Sequence, residues 1–179
     1  MPSRPSIRLA QLSDAPALAR LAESTFRDAF SAQNSPEDMA LHCRASYGES
    51  IQAQEIASPD SVIIVAEDAG QLAAYAQLRW GLCPECVAAA SPGEIQRLYV
   101  KQSFHGRGLA QRLMARCLQL LEDRHSDVAW LGVWENNPRA VAFYRKFDFQ
   151  PVGEHVFMLG SDPQRDIILM RPLQHHGTL

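Results

Sequence analysis

The chain has 179 residues, 46% hydrophobic and 21% charged, with a formal net charge of −3, which is the size and balance of one compact domain with a sizeable core. A mildly acidic chain lacks the basic surplus that phosphate-rich nucleic acid demands, so no nucleic-acid partner is expected. No apolar run approaches the roughly 20 residues that span a bilayer, and the opening MPSRPSIRLA has no apolar stretch of a secretory signal; the expectation is a cytoplasmic protein with no membrane partner.

In chain order, IRLA at 7–10 reads as a short strand, and Ser13 or Asp14 caps a helix to about residue 30 with Leu18, Leu21, Ala22 and Phe26 on one face. Ser35 as a cap, Pro36 at the first helical position and the acids Glu37 and Asp38 behind it signal a second helix. SVIIVAE is a buried strand, EDAGQ a tight turn and LAAYAQLRW its antiparallel partner. Residues 81–93, rich in Cys, Pro, Ala and Ser, form a long loop. EIQRLYV is a third long strand, and the segment after it carries Leu109, Leu113, Cys117 and Leu120 at helical spacing. VAWLGVW is a strand, NPRAVAFYRKF a helix, and FQPVGEHVFM and RDIILMRPL two final strands. This order predicts an α/β sandwich around a mostly antiparallel sheet with a parallel step in the middle. Residues 1–172 make a single domain and 173–179 a flexible tail.

The segment SFHGRGLAQRLMARCLQLLE places Gly106, Gly108 and Ala110 where a helix begins. A helix start carries unpaired N–H groups and a partial positive charge, so an anion docks there if side chains leave the backbone accessible. The same glycines would equally serve a helix start packed tightly on a strand. A nucleotide-hydrolysing loop is excluded, because Leu109 and Ala110 stand where Lys and Ser or Thr are required. A dinucleotide fingerprint is excluded too, since GRGLAQ ends in Gln111. The four cysteines are Cys43, Cys83, Cys86 and Cys117, and the single CPEC pair has no second pair beside it, so no metal is expected.

HGRGLA resembles the R/Q-x-x-G-x-G/A signature of the GCN5-related N-acetyltransferase (GNAT) superfamily, with His105 in place of the usual Gln or Arg. NNPRAVAFYRKFDF is similar to the family's N-x-x-A-x-x-x-Y segment, from Asn137 to Tyr144. The resemblance extends over nearly the whole chain: TFRDAFSAQNSPEDM, WLGVWENNPRAVAFY and FMLGSDPQRDIILMRPL resemble the PaiA-type branch, polyamine acetyltransferases related to spermidine/spermine N-acetyltransferases. It implies the GNAT fold, a mixed, mostly antiparallel twisted sheet of about seven strands with helices on both faces. It also implies acetyl-CoA as cosubstrate, without a metal, held by His105, Gly106, Arg107, Gly108, Leu109 and Ala110 at the diphosphate. Leu98, Tyr99 and Val100 would lie along the pantetheine, with Asn137 also at the coenzyme.

By the same resemblance Glu94 is the proton acceptor, through water, and Tyr144 protonates the departing thiolate. Read from the residues alone, Tyr144 equally suits a core aromatic and Glu94 a solvated carboxylate at a strand end. Strand alternation puts Glu94, Gln96, Leu98 and Val100 on one face and Ile95, Arg97 and Tyr99 on the other, unless a bulge breaks the parity. Deprotonating an alkylammonium at pH 7 costs roughly 4 to 5 kcal/mol, so such a base has work to do. Residues 25–58 and 81–93 are expected to wall the acceptor pocket, and the acids Glu23, Asp28, Glu37, Asp38, Glu49 and Glu55 either draw a polycation or form the wet face of helices. The expected partner is a small-molecule amine; a homodimer is compatible with the resemblance. Two classes of function stand at this point: an N-acetyltransferase acting on a polyamine, another primary amine, or a protein N-terminus or lysine; and a coenzyme-binding regulatory protein without turnover.

Overall fold

The computed structural model of the chain describes residues 4–174. Its apolar runs become β1 (Ser6–Leu9), β2 (Ser61–Asp68), β3 (Gln71–Trp80), β4 (Pro92–Val100), β5 (Val128–Trp134), β6 (Gln150–Leu159) and β7 (Asp162–Pro172). These seven form one sheet in the order β1-β2-β3-β4-β5-β7-β6. The β4/β5 step is parallel, and every other neighbouring pair is antiparallel.

Alternation along β2 shows how the sheet divides the core. Ile64 and Ala66 face one cluster with Leu109, Leu113, Met114 and Cys117 of α4 (Leu109–Asp123), to which Val141 and Tyr144 of α5 (Pro138–Arg145) add their flanks. Ile63 and Val65 face the other, with Leu18, Leu21 and Phe26 of α1 (Ala15–Phe30) and Met39 and Cys43 of α2 (Pro36–Ser46). Burial of Cys117 pushes its thiol up to about 12, as suits a packing residue. The Ser35 cap is realised: its Oγ accepts the Asp38 N–H at 3.1 Å.

A helix absent from the periodicity reading, α3 (Glu49–Ala57), is held by a polar side chain. Buried Gln52 accepts the Gly48 N–H at 2.8 Å and donates to the Ser46 carbonyl at 3.0 Å. With no apolar stripe, ESIQAQEIA gives no 3.6-residue signal.

The loop at 81–93 packs on the sheet through Val87, in a small cluster with Val128, Trp130 and Ile168. Cys86 rests on Gly153, where a Cβ would lie 2.6 Å from its Sγ. At the chain's end, Leu173 is buried and its N–H donates to the Asp127 carbonyl at 2.8 Å, so packing runs past residue 172 into the expected tail. Residues 175–179 of that tail lie outside the described residues.

The feature that positions the site is a bulge in β4. Gln77 of β3 pairs with Arg97 while its neighbour Leu78 pairs with Ile95, leaving Gln96 as an extra residue. The bulge breaks the expected parity: Ile95, Leu98 and Val100 share the α4/α5 face, and Tyr99 joins the α1 cluster. A bulge also bends its strand. The β4/β5 ladder accordingly covers Pro92 with Val128, Gly93 with Ala129 and Glu94 with Trp130, and then stops. Beyond Glu94 the two strands part, and the sheet opens in a V.

Candidate active site

Past the end of β4 at Val100 comes the glycine turn, before α4. Gly106 and Gly108 have φ of 74° and 75°, left-handed values that cost an ordinary residue roughly 1–2 kcal/mol. An added Cβ at either would meet nothing within 4 Å. Gly108 is the N-cap of α4, and no side chain caps that helix. Its first N–H groups and the positive end of its dipole therefore face open space, which is the electrostatic condition for holding an anion. Leu109 anchors the turn in the core, and Arg107 lies with its guanidinium carbon 5.6 Å from the Phe104 ring centroid.

His105 is a strut of this turn. Its Nε2 lies 2.8 Å from the Val100 carbonyl and its Nδ1 3.3 Å from Arg139 Nη2. Arginine can only donate, so Nδ1 accepts and Nε2 carries the proton given to Val100. The imidazole thus ties the glycine turn both to the end of β4 and to the start of α5.

A cleft of about 160 Å³ passes through the V. On the α4/α5 side it is lined by Ile95, Leu98, Val133, Ala140 and Tyr144. On the α1 side it meets aromatic rings: Phe26, Phe30, Tyr99, Trp134 and Phe157. Phe30 sits edge-on to Trp134 at 5.8 Å and to Tyr99 at 6.5 Å between centroids. Asn137 also lines the cleft and caps α5, accepting the Ala140 N–H at 3.1 Å through Oδ1. The cap orients the helix that carries Tyr144. Burial pushes the Tyr144 phenol above its ordinary range, so it stays protonated through neutral pH.

Glu94 stands elsewhere. It is 8% exposed at the closed end of the V, its carboxylate is held by Arg79 of β3, and it is not among the cleft-lining residues. The expected acceptor walls are corrected in part. Residues 25–58 contribute Phe26 and Phe30, but no lining residue comes from 81–93, where Cys83, Cys86, Val87 and Ala89 pack with β5 and β7 instead; β6 and β7 supply Phe157, Leu159, Gln164 and Asp166. Three of the acids expected to draw a cation are also engaged: Glu23 with Arg27, Asp38 with the Ser161 N–H, and Glu55 with Arg97.

Asp166 escaped the sequence reading. It is buried, and burial raises its carboxyl above the usual carboxylate range while His155 opposes the rise. A lone acid in the apolar strand RDIILMRPL was the available signal, because an unpaired charge on a buried strand needs a reason.

A mixed sheet parted at its parallel step, with a bare helix start beside the opening, defines an acyltransferase of the GNAT type. The chain matches the Acetyltransferase (GNAT) family over residues 18–149 and belongs to that family. It is 34% identical over 169 residues to an uncharacterized N-acetyltransferase from the pepI 3′ region of Lactobacillus delbrueckii subsp. lactis, across 93% of this chain and 98% of that protein. A spermine/spermidine N(1)-acetyltransferase of Bacillus subtilis is 28% identical over 88 residues, 48% of this chain and 57% of that one. In three dimensions the chain is similar to the PaiA N-acetyltransferase of Thermoplasma acidophilum solved in complex with coenzyme A, with a TM-score of 0.75 at 18% identity over 95% of this chain and 99% of that one. The protein is thus a GNAT-family N-acetyltransferase. Among the described residues no helix is long and apolar enough to cross a membrane, and no three His, Cys, Asp or Glu side chains are grouped to hold a metal.

Proposed function

We propose that the protein transfers the acetyl group of acetyl-coenzyme A to a primary amine, with polyamines such as spermidine and spermine as the leading acceptors, by direct attack within a ternary complex. One observation carries this reading: the edge of β4 freed from β5 lines a cleft with aromatic rings and a carboxylate in its wall, and that strand runs on into the turn before the bare start of α4. The residues fit the coenzyme, because Gly106 and Gly108 leave open space where a diphosphate needs backbone donors.

In this reading the N–H groups of residues 106–110 hold the diphosphate. The edge of β4 at Leu98, Tyr99 and Val100, released from β5, pairs with the pantetheine as an added strand would. Its free N–H groups also face the developing oxyanion. The coenzyme supplies an activated thioester carbonyl. Tyr144, kept protonated by burial, donates to the departing thiolate. On the far side, ring faces and a carboxylate receive an alkylammonium, since cations bind aromatic faces and polycations need a counter-charge. The partial likeness to the Bacillus spermine/spermidine enzyme supports the polyamine class. No cysteine lines the cleft, so nothing favours a covalent acetyl-cysteine route. The regulatory reading rested on His105, and that side chain is employed as a strut.

Free-thiol release from acetyl-coenzyme A across a panel of amines and an N-terminal peptide tests the proposal. Release that depends on spermidine or spermine is the expected result. Tight coenzyme binding without release for any acceptor would overturn it, and release with the peptide alone would move the acceptor class to protein N-termini.

A further inference from the structure

With Glu94 engaged by Arg79 at the closed end of the V, the cleft needs another group to take the amine's proton. We propose that Asp166, backed by His155, is that group: its carboxylate receives the incoming ammonium, takes a proton from it and passes that proton through His155 to solvent. The inference rests on the amine-acetyltransferase reading above.

Four observations converge on the pair. Asp166 is the one carboxylate among the described residues that line the cleft. The sheet places it between Trp134 of β5 on one side and His155 of β6 on the other. Its Oδ2 lies 3.6 Å from His155 Nε2. Beneath both lies Gly132, also in the cleft wall, where a Cβ would come within 3.2 Å of Asp166 Oδ2 and 3.3 Å of His155 Nε2. Any larger residue at 132 would crowd both groups, so the glycine keeps the approach to them clear.

The surroundings favour proton acceptance. The ionisable groups lining the same space are Arg97 and Tyr99 from β4 and Tyr144 from α5, with His155 of β6 beside Asp166, while α1 contributes only Phe26 and Phe30. Arg97 is engaged through Nη1 with Glu55 and Gln77. Arg165, next in sequence, pairs with Glu154 and Glu135. Burial makes the Asp166 carboxylate a stronger base than an exposed aspartate, narrowing its gap to the amine. The His155 side chain is 39% exposed, giving the proton an exit.

The step balances as follows. An N–H bond of the ammonium breaks, its electron pair stays on nitrogen, and an O–H bond forms on Asp166. The proton then moves to Nε2 of neutral His155, and the resulting imidazolium gives a proton to water. Asp166 is again a carboxylate, and the amine carries the lone pair that attacks.

Asp166→Asn and His155→Gln, assayed with two acceptors, test this: a strongly basic primary amine, and a fluorinated analogue already neutral at pH 7. Asp166→Asn should lower kcat/KM for the basic amine by about 10²–10⁴-fold, within the range of a general base, but by less than about tenfold for the neutral analogue. His155→Gln should show the same pattern more weakly. Coenzyme A affinity by calorimetry should stay within about twofold, because the pair sits on β6 and β7 and the glycine turn follows β4. Independently of activity, NMR titration of the unliganded protein should show the Asp166 carboxyl taking up its proton at higher pH in His155→Gln, since the imidazole that opposes its rise is gone. Equal losses on both acceptors, or an unmoved Asp166 titration, would overturn the relay. Gly132→Ala leaves both side chains present and crowds them; it should impair the basic amine selectively, and an unchanged rate would count against the proposal. If the wild type transfers to no amine, the acetyltransferase reading falls and the relay with it. If the wild type is active and Asp166→Asn matches it, the relay alone falls.

Discussion

The two ends of the cleft are built in different ways. The proposed coenzyme end is main chain: a left-handed glycine pair, an uncapped helix start and a strand edge freed from its neighbour. The proposed acceptor end is side chain: rings from α1, β4, β5 and β6 and a carboxylate from β7, brought together by the sheet order. A backbone site needs a short contiguous run with small residues at set spacing. A side-chain site needs only that distant residues arrive together, which leaves it free to change acceptor while the coenzyme end stays constant.

The largest effect should follow from spoiling the main-chain end. Gly108→Val puts a β-branched residue at φ 75° and fills space that is now open. The helix start must rearrange, and its N–H groups move out of line. Coenzyme A affinity by calorimetry should fall by about 100-fold, or roughly 2.7 kcal/mol, while the titration of the Asp166 carboxyl on β7 stays as in the wild type. Unchanged affinity would mean that these amides do not hold the diphosphate.

Tyr144→Phe comes next, at the junction of the two ends. Loss of one general acid should lower kcat by about 10²-fold with coenzyme affinity intact. Because burial raises the phenol, its acid form persists above the ordinary value of 10.0. The wild-type rate should therefore show no loss from this group as pH rises to 10. A fall in rate below pH 9 that disappears in Tyr144→Phe would contradict the burial argument.

At the acceptor end, Trp134→Ala removes one ring of the chamber and the edge contact with Phe30. Cation–π contacts run from about 0.5 to 2 kcal/mol, so KM for a cationic amine should rise by about tenfold with kcat nearly kept. Coenzyme affinity should not change, which separates this variant from Gly108→Val.

The same contrast explains what was legible in the sequence. All seven strands and four of the five helices follow from period, caps and turn residues, and Gly106, Gly108, Asn137 and Tyr144 could be singled out because they sit in two short segments. The bulge at Gln96 could not, since EIQRLYV keeps strand composition on either side of it and only the pairing with β3 reveals the extra residue. Without the bulge, strand parity separated Ile95 from Leu98 and Val100, which share one face. The helix α3 was hidden because Gln52, not an apolar stripe, secures it. Asp166 was hidden for another reason: its importance comes from His155, Gly132 and Trp134, none of them near it on the strand.

The smallest effect is also the sharpest test of the comparison. Glu94 and Asp166 are both buried carboxylates near the V, but one is held by an arginine at the closed end and the other lines the opening. Arg79 is cross-strand to Glu94, and half of its side-chain surface stays exposed. A pair with one partner half in water contributes about 0.2–1 kcal/mol, which corresponds to a loss of roughly 0.4–4 °C in Tm for a domain of this size. Glu94→Gln keeps the shape and one hydrogen bond, so kcat/KM for a basic amine should fall by less than about threefold, where a lost general base costs at least about 10²-fold. A fall of that larger size, relieved by the weakly basic amine, would make Glu94 the proton acceptor after all. In that case the carboxylate that opens into the cleft serves to bind the cation, and the proton leaves from the closed end of the V.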